Sequence, residues 1–226
     1  MPLRQANKQY RITPGLRAAF VRTISPERFK TYQIAGGFNE DLAHSLYVWN
    51  AAIGQSFHFP LQTLEVALRN VVHRALAALY GSDWVREAAC RAILQAKQVE
   101  DVTKAERRHY SIHNEVASTP QIIASLSLGF WVAMLRGSYH NRIWATQTLE
   151  AFPHLGADST ITDISRAANR IQVLRNRIFH QEPLIGRNLS ADYGDILFVL
   201  GAICPYTRDW MRAYSSVPSV MRERPR

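Results

Sequence analysis

Between Ile161 and Ile178, apolar side chains return every third or fourth residue: Ile161, Ile164, Ala168, Ile171, Leu174 and Ile178. A strand would need strict alternation, so this spacing predicts an α-helix with one buried face. At 100° per residue the six positions cover roughly 120° of the helix circumference. Asn169, Asn176 and His180 fall on a neighbouring strip, Arg175 sits at the edge of the apolar face, and Pro183 stops the helix. Asn176 and His180 are one turn apart on one face. The long Arg175 side chain is expected to bend toward them. Polar chemistry is thereby gathered beside the core, at the end of a helix.

The same periodicity runs through most of the chain. Ser25-Pro26-Glu27 opens a short helix that Gly36-Gly37 ends. Asn39-Glu40-Asp41 starts a helix striped by Leu42, Leu46, Trp49, Ile53 and Phe57, which Pro60 breaks or kinks. Leu61 to Tyr80 is the cleanest pattern, with Leu61, Leu64, Leu68, Val71, Val72, Ala75, Leu76 and Leu79 before Gly81. On its polar side Glu65 precedes Arg69 by four residues, the favourable order for an ion pair. That pair reads either as a solvated bridge or as a carboxylate orienting an active-site arginine. Ser82-Asp83 is expected to cap a long helix through Val99, Val102, Ala105, His109, Ile112 and Val116. Thr119-Pro120-Gln121 starts a very apolar helix from Ile122 to Arg136, in which Phe130 and Trp131, like Trp144 further on, are core aromatics. Ser190-Ala191-Asp192 caps a last helix carrying Ile196, Leu200 and Ile203, kinked at Pro205 and resuming to about Tyr214.

No strand-rich region, Gly-rich phosphate loop, internal repeat or helix-turn-helix is visible. The prediction is one all-α domain, a single bundle of about six to eight helices over residues 25–215. It is flanked by a basic arm over residues 1–24, with Arg4, Lys8, Arg11, Arg17 and Arg22, and by a tail at 216–226 expected to be disordered.

At 226 residues, 47% hydrophobic and 20% charged, the composition is that of a globular protein. The charge of +9 is unusual and comes from Arg, the residue suited to bidentate phosphate contacts. An anionic partner is favoured, nucleic acid first. Cys90 and Cys204 have no metal-ligand or disulfide spacing, which fits a reducing, cytoplasmic setting. The opening MPLRQANKQYR has no apolar signal core. The run Ile122 to Leu135 falls short of the roughly 20 residues a membrane span needs, so no membrane association is expected.

Arg175-Asn176-x-x-x-His180 resembles the Arg-polar-x-x-x-His signature of HEPN domains, an all-α superfamily that includes many metal-independent ribonucleases. The string RNRIFHQEPL is similar to the corresponding stretch of Abi-like (abortive infection) bacterial proteins. With Arg and His this abundant, roughly one Arg-x4-His match is expected by chance, and Arg108 to His113 is such a second match. Context decides between them. Leu64 to Asn70 followed by Tyr80-Gly81 and Trp84, and Ile123 to Val132 followed by Tyr139, Ile143-Trp144 and Phe152-Pro153, resemble two further Abi-like blocks. All three lie in order within residues 40 to 205. Arg108 and His113 read as ordinary helix residues.

RNA can be cut without metal because its own 2′-OH attacks the adjacent phosphate, given a general base, a general acid and positive charge on the transition state. Histidine is the side chain whose ordinary pKa suits proton transfer near neutrality. The catalytic assignments are His180 for proton transfer, Arg175 for the phosphate oxygens and Asn176 for holding the imidazole or the ribose. Arg177 and Arg187 are expected to bind substrate, with Glu65 and Arg69 in support. The resemblance implies the same three-residue site, without metal or cofactor. One such His per chain leaves a proton-transfer role unfilled, so a homodimer is expected on chemical grounds as well as from the resemblance. The resemblance also implies a role in phage defence or as a toxin, and leaves open an antitoxin or regulatory RNA as partner. The alternatives are a non-catalytic RNA- or protein-binding module and, third, a DNA binder.

Overall fold

The computed structural model describes residues 13–226; Arg4, Lys8 and Arg11 of the expected arm lie outside them. Among the described residues every regular element is helical, in the order α1 (Pro14–Ile24), α2 (Pro26–Ala35), α3 (Glu40–Ser56), α4 (His58–Tyr80), α5 (Ala88–Ile93), α6 (Ala96–His113), α7 (Thr119–Ser125), α8 (Leu128–Ala133), α9 (Ala145–Ala151), α10 (Ile161–Phe179), α11 (Leu189–Ile203), α12 (Pro205–Tyr214) and α13 (Val217–Arg222). A short 3₁₀ turn and a π-helical turn join α8 to α9. The all-α bundle expected from periodicity is the fold.

The chain folds around α4, which touches α3, α5, α8, α9, α11 and α12. Most of its apolar stripe is buried as the sequence predicts: Leu61, Leu64, Leu68, Val71, Val72, Ala75 and Leu76 lie in the core, while Leu79, in the last turn, is exposed. Pro60 sits in its first turn. Lacking an N–H, Pro60 leaves the Ser56 carbonyl without its helical donor, and the chain breaks at Phe57 into α3 and α4 instead of continuing as one helix. α10 packs on α8 and, most extensively, on α11. Thr160 and Asp163 form its capping box at 2.8 and 2.9 Å. Ile161, Ile164, Ala168, Ile171 and Leu174 face the interior. Arg170 on the outer side holds Asp195 of α11 with two bonds of 2.7 Å.

Four expectations need correction. Residues 14–24 are not part of a loose arm but form α1, capped by Thr13, with Arg17 paired to Asp41 of α3. The long helix from Ser82 is broken: Asp83 accepts from Thr119 and Arg86 instead of capping a helix. Leu94 then turns extended between α5 and α6, where the Tyr139 hydroxyl takes the Gln95 N–H at 3.2 Å. The apolar helix 122–136 is likewise split into α7 and α8, because Ser127 is extended at the head of the second piece. The tail is ordered as α13. Val217 is buried, and the Trp49 indole donates to the Val220 carbonyl at 2.8 Å, which ties the segment to α3.

The large aromatics are core, as expected. Phe130 meets Trp131 edge-on at 4.8 Å, and Trp144 donates to the Met134 carbonyl at 2.7 Å. No helix among the described residues is long and apolar enough to cross a membrane.

Candidate functional site

The C-terminus of α10 closes in a Schellman arrangement: Glu182 N–H to the Arg177 carbonyl at 2.8 Å, and Gln181 N–H to the Ile178 carbonyl at 3.1 Å. Gln181 occupies the left-handed position, φ 52°, where glycine is usual. His180 is thus the first residue past the helix, exposed, at the end where the helix dipole favours positive charge. The loop behind it is pinned: Arg28 of α2 donates to the His180 carbonyl at 3.3 Å, and the Leu184 N–H donates to the Asn50 side chain at 2.6 Å. The imidazole therefore projects from a fixed backbone.

Arg175 lies one turn before Phe179 and lays its guanidinium over that ring, 3.9 Å from the centroid. Its Nε is buried without a hydrogen-bond partner. No carboxylate among the described residues pairs with it, so among them its charge is uncompensated. The side chain is drawn to the Phe179 face and makes no hydrogen bond to Asn176 or His180. Asn176 is exposed beside His180, one turn earlier. The motif therefore forms two adjacent strips, Arg175 with Phe179 and Asn176 with His180.

A histidine that the periodicity gave no reason to single out joins them. The His58 ring, exposed at the start of α4, stands 6.4 Å from the Phe179 ring. Nothing local in the sequence marks it, because the contact spans more than a hundred residues. The Arg175–Phe179 stack, by contrast, is readable as a cation and an aromatic at i, i+4 on a helix.

The remaining expected residues are placed differently. Arg177 is held by the Pro183 carbonyl at 2.9 Å and Glu182 at 3.5 Å, so it ties off the loop. Arg187 makes a two-bond pair with the buried Asp192, 2.9 and 2.6 Å, which neutralises it. Substrate binding by either would first have to break these contacts. Glu65 and Arg69 form no ion pair. Arg69 lines a separate cleft of about 640 Å³ with Asn70, His73, Asp83 and Arg86, none of whose walls comes from α10. There the Trp84 indole donates to His73 Nδ1 at 3.0 Å. Burial, then the neighbouring Arg74 charge, hold the His73 pKa below its ordinary value. The second motif match is a helix end: His109 and His113 stack at 4.5 Å on α6, with Arg108 in solvent.

No group of three or more His, Cys, Asp or Glu side chains among the described residues is arranged to hold a metal ion. Compared with protein-family models, with curated proteins and with solved structures, the chain matches none. What the site can do rests on its own chemistry: a cation on an exposed aromatic ring, an exposed imidazole 6.4 Å from that ring, a second exposed imidazole on the residue that follows it, and a strongly basic chain.

Proposed function

We propose that this protein is a metal-independent endoribonuclease of the HEPN type, acting in phage defence or as a toxin. The observation that carries the reading is Arg175, whose charge has no counter-ion among the described residues and which lies over Phe179, the chain neighbour of the exposed His180. A phosphodiester docked on Arg175 would put its oxygens on a permanent cation. An imidazole then takes the proton of the 2′-OH, the 2′-oxygen attacks phosphorus, and a second imidazole protonates the departing 5′-oxygen. The products are a 2′,3′-cyclic phosphate and a 5′-hydroxyl. Asn176, one turn before His180, would hold the ribose. The resemblance to HEPN proteins implies that the second imidazole is the His180 of a second copy.

RNA binding without cleavage is the second reading. It is favoured by Arg175 making no hydrogen bond to Asn176 or His180, so hydrogen bonding does not draw the three motif residues together.

The test is cleavage of mixed tRNA and mRNA in EDTA. Wild type is expected to produce cyclic-phosphate ends. His180→Ala and Arg175→Ala are each expected to lose at least about a hundredfold in rate while keeping the fold, since neither side chain is in the core. Arg108→Ala and His113→Ala should cleave as wild type does. Intact RNA with wild-type protein, together with retained RNA affinity, would select the second reading.

A further inference from the structure

The outer face of α12 carries Tyr206, Trp210 and Tyr214 at four-residue steps, 79%, 46% and 72% exposed, while Met211 turns to the core. Such a stripe of large aromatic rings left in solvent is uncommon on a surface helix. The rings are ordered: Trp210 and Tyr214 lie 5.7 Å apart, and Trp210 meets Phe59 edge-on at 5.4 Å. Phe59 is the chain neighbour of His58, and His58 stands 6.4 Å from Phe179, which carries Arg175. Rings in contact thus run from Tyr214 through Trp210 to Phe59, whose chain neighbour His58 stands at the candidate site, and Tyr206 extends the row one turn along α12.

We propose that this row is a stacking track for single-stranded RNA, with the bases on Tyr206, Trp210 and Tyr214 and the backbone directed toward Arg175. The inference deepens, and rests on, the ribonuclease reading. Three observations favour RNA over a second copy of the chain. Aromatic rings spaced by one helical turn accept any base by its face. At 100° per residue the positions flanking the stripe on α12 are Thr207, Asp209 and Ala213, none of them a large apolar side chain that would build an interface core. The chain's charge of +9 attracts a polyanion and repels its own copy.

Tryptophan fluorescence tests this directly. Of the five tryptophans, Trp49, Trp84, Trp131 and Trp144 are at most 4% exposed, so Trp210 alone can stack with an added base. The full-length His180→Ala protein is titrated with a twelve-residue oligouridylate, which it cannot cut if the ribonuclease reading holds. Quenching of Trp210 emission is expected, together with roughly tenfold weaker binding in Tyr206→Leu and in Tyr214→Leu. An RNA duplex of the same length should quench far less, because its bases are already stacked. Absence of quenching overturns the track. So does a spectral shift of Trp210 with protein concentration alone, which would mean that a second copy covers the face. The two readings fail separately. Quenching by oligouridylate, with no cleavage by wild type, removes the nuclease and keeps the track. His180-dependent cleavage with an unresponsive Trp210 does the reverse.

Discussion

Arg187 and Arg175 look alike in the sequence, and the structure separates them by what each finds nearby. Arg187 meets Asp192, a carboxylate only 5% exposed, and gives it both of its partners. Arg175 meets a ring, which holds a guanidinium in place without cancelling its charge. Only the second arrangement leaves a cation for phosphate. Arg187→Ala should therefore act on stability. Stranding the Asp192 carboxylate is expected to cost about 2–3 kcal/mol, read from the denaturant midpoint, because removing one partner leaves a buried charge unpaired. RNA cleavage per folded molecule should be unchanged. The double variant Arg187→Met/Asp192→Leu should recover much of the loss. A stable Arg187→Ala protein with weakened RNA binding would restore the substrate-binding role. The i, i+4 spacing of Arg175 and Phe179 on one helix was legible in the sequence, whereas the Arg187–Asp192 pair was not, because it joins a loop residue to the following helix.

At the scale of elements, periodicity told where helices form and failed where they break. The stripes from Leu61 to Leu76 and from Ile161 to Leu174 are buried as their spacing predicts, whereas Leu79 is exposed, and so are Ile112 and Val116 of the stripe expected along α6, which ends at His113. The misreadings are at joints whose cause is tertiary: Tyr139 taking the Gln95 N–H, Trp49 fixing Val220, and Asp83 serving α7 instead of a cap. The Asp83 joint has a pH signature. Hydrogen bonding from Thr119 first, then from Arg86, holds the Asp83 carboxyl below its ordinary value. The unfolded chain therefore binds that proton more readily, so the joint stabilises the fold above the ordinary carboxylate range and is lost as pH falls through the lower folded value. Thr119→Val is expected to flatten this acid limb. Melting temperature followed from about pH 5 to pH 3 should drop less steeply in the variant than in wild type. Parallel curves would remove Asp83 as the cause. The chemistry-bearing end of α10 was legible as a polar strip beside a core. The approach of His58 to Phe179 was not, because no local rule connects the start of α4 to the end of α10.

For the whole molecule, the charge of +9 sets two equilibria against each other. RNA binding releases counter-ions, so it weakens as salt rises. Pairing of two copies brings like-charged surfaces together, so salt screening strengthens it. A site completed by the His180 of a second copy needs both events, and its activity should pass through a maximum at intermediate salt. Activity per chain should also fall on dilution below the dimer dissociation constant. Cleavage rates measured across a dilution series at two salt concentrations, beside sedimentation of the same samples, check both. The placement of His58 defines the opposite outcome in the same experiment. If activity per chain is constant on dilution, declines monotonically with salt and is lost in His58→Ala, the two imidazoles come from one chain. The two-copy requirement then falls while the RNA chemistry stays.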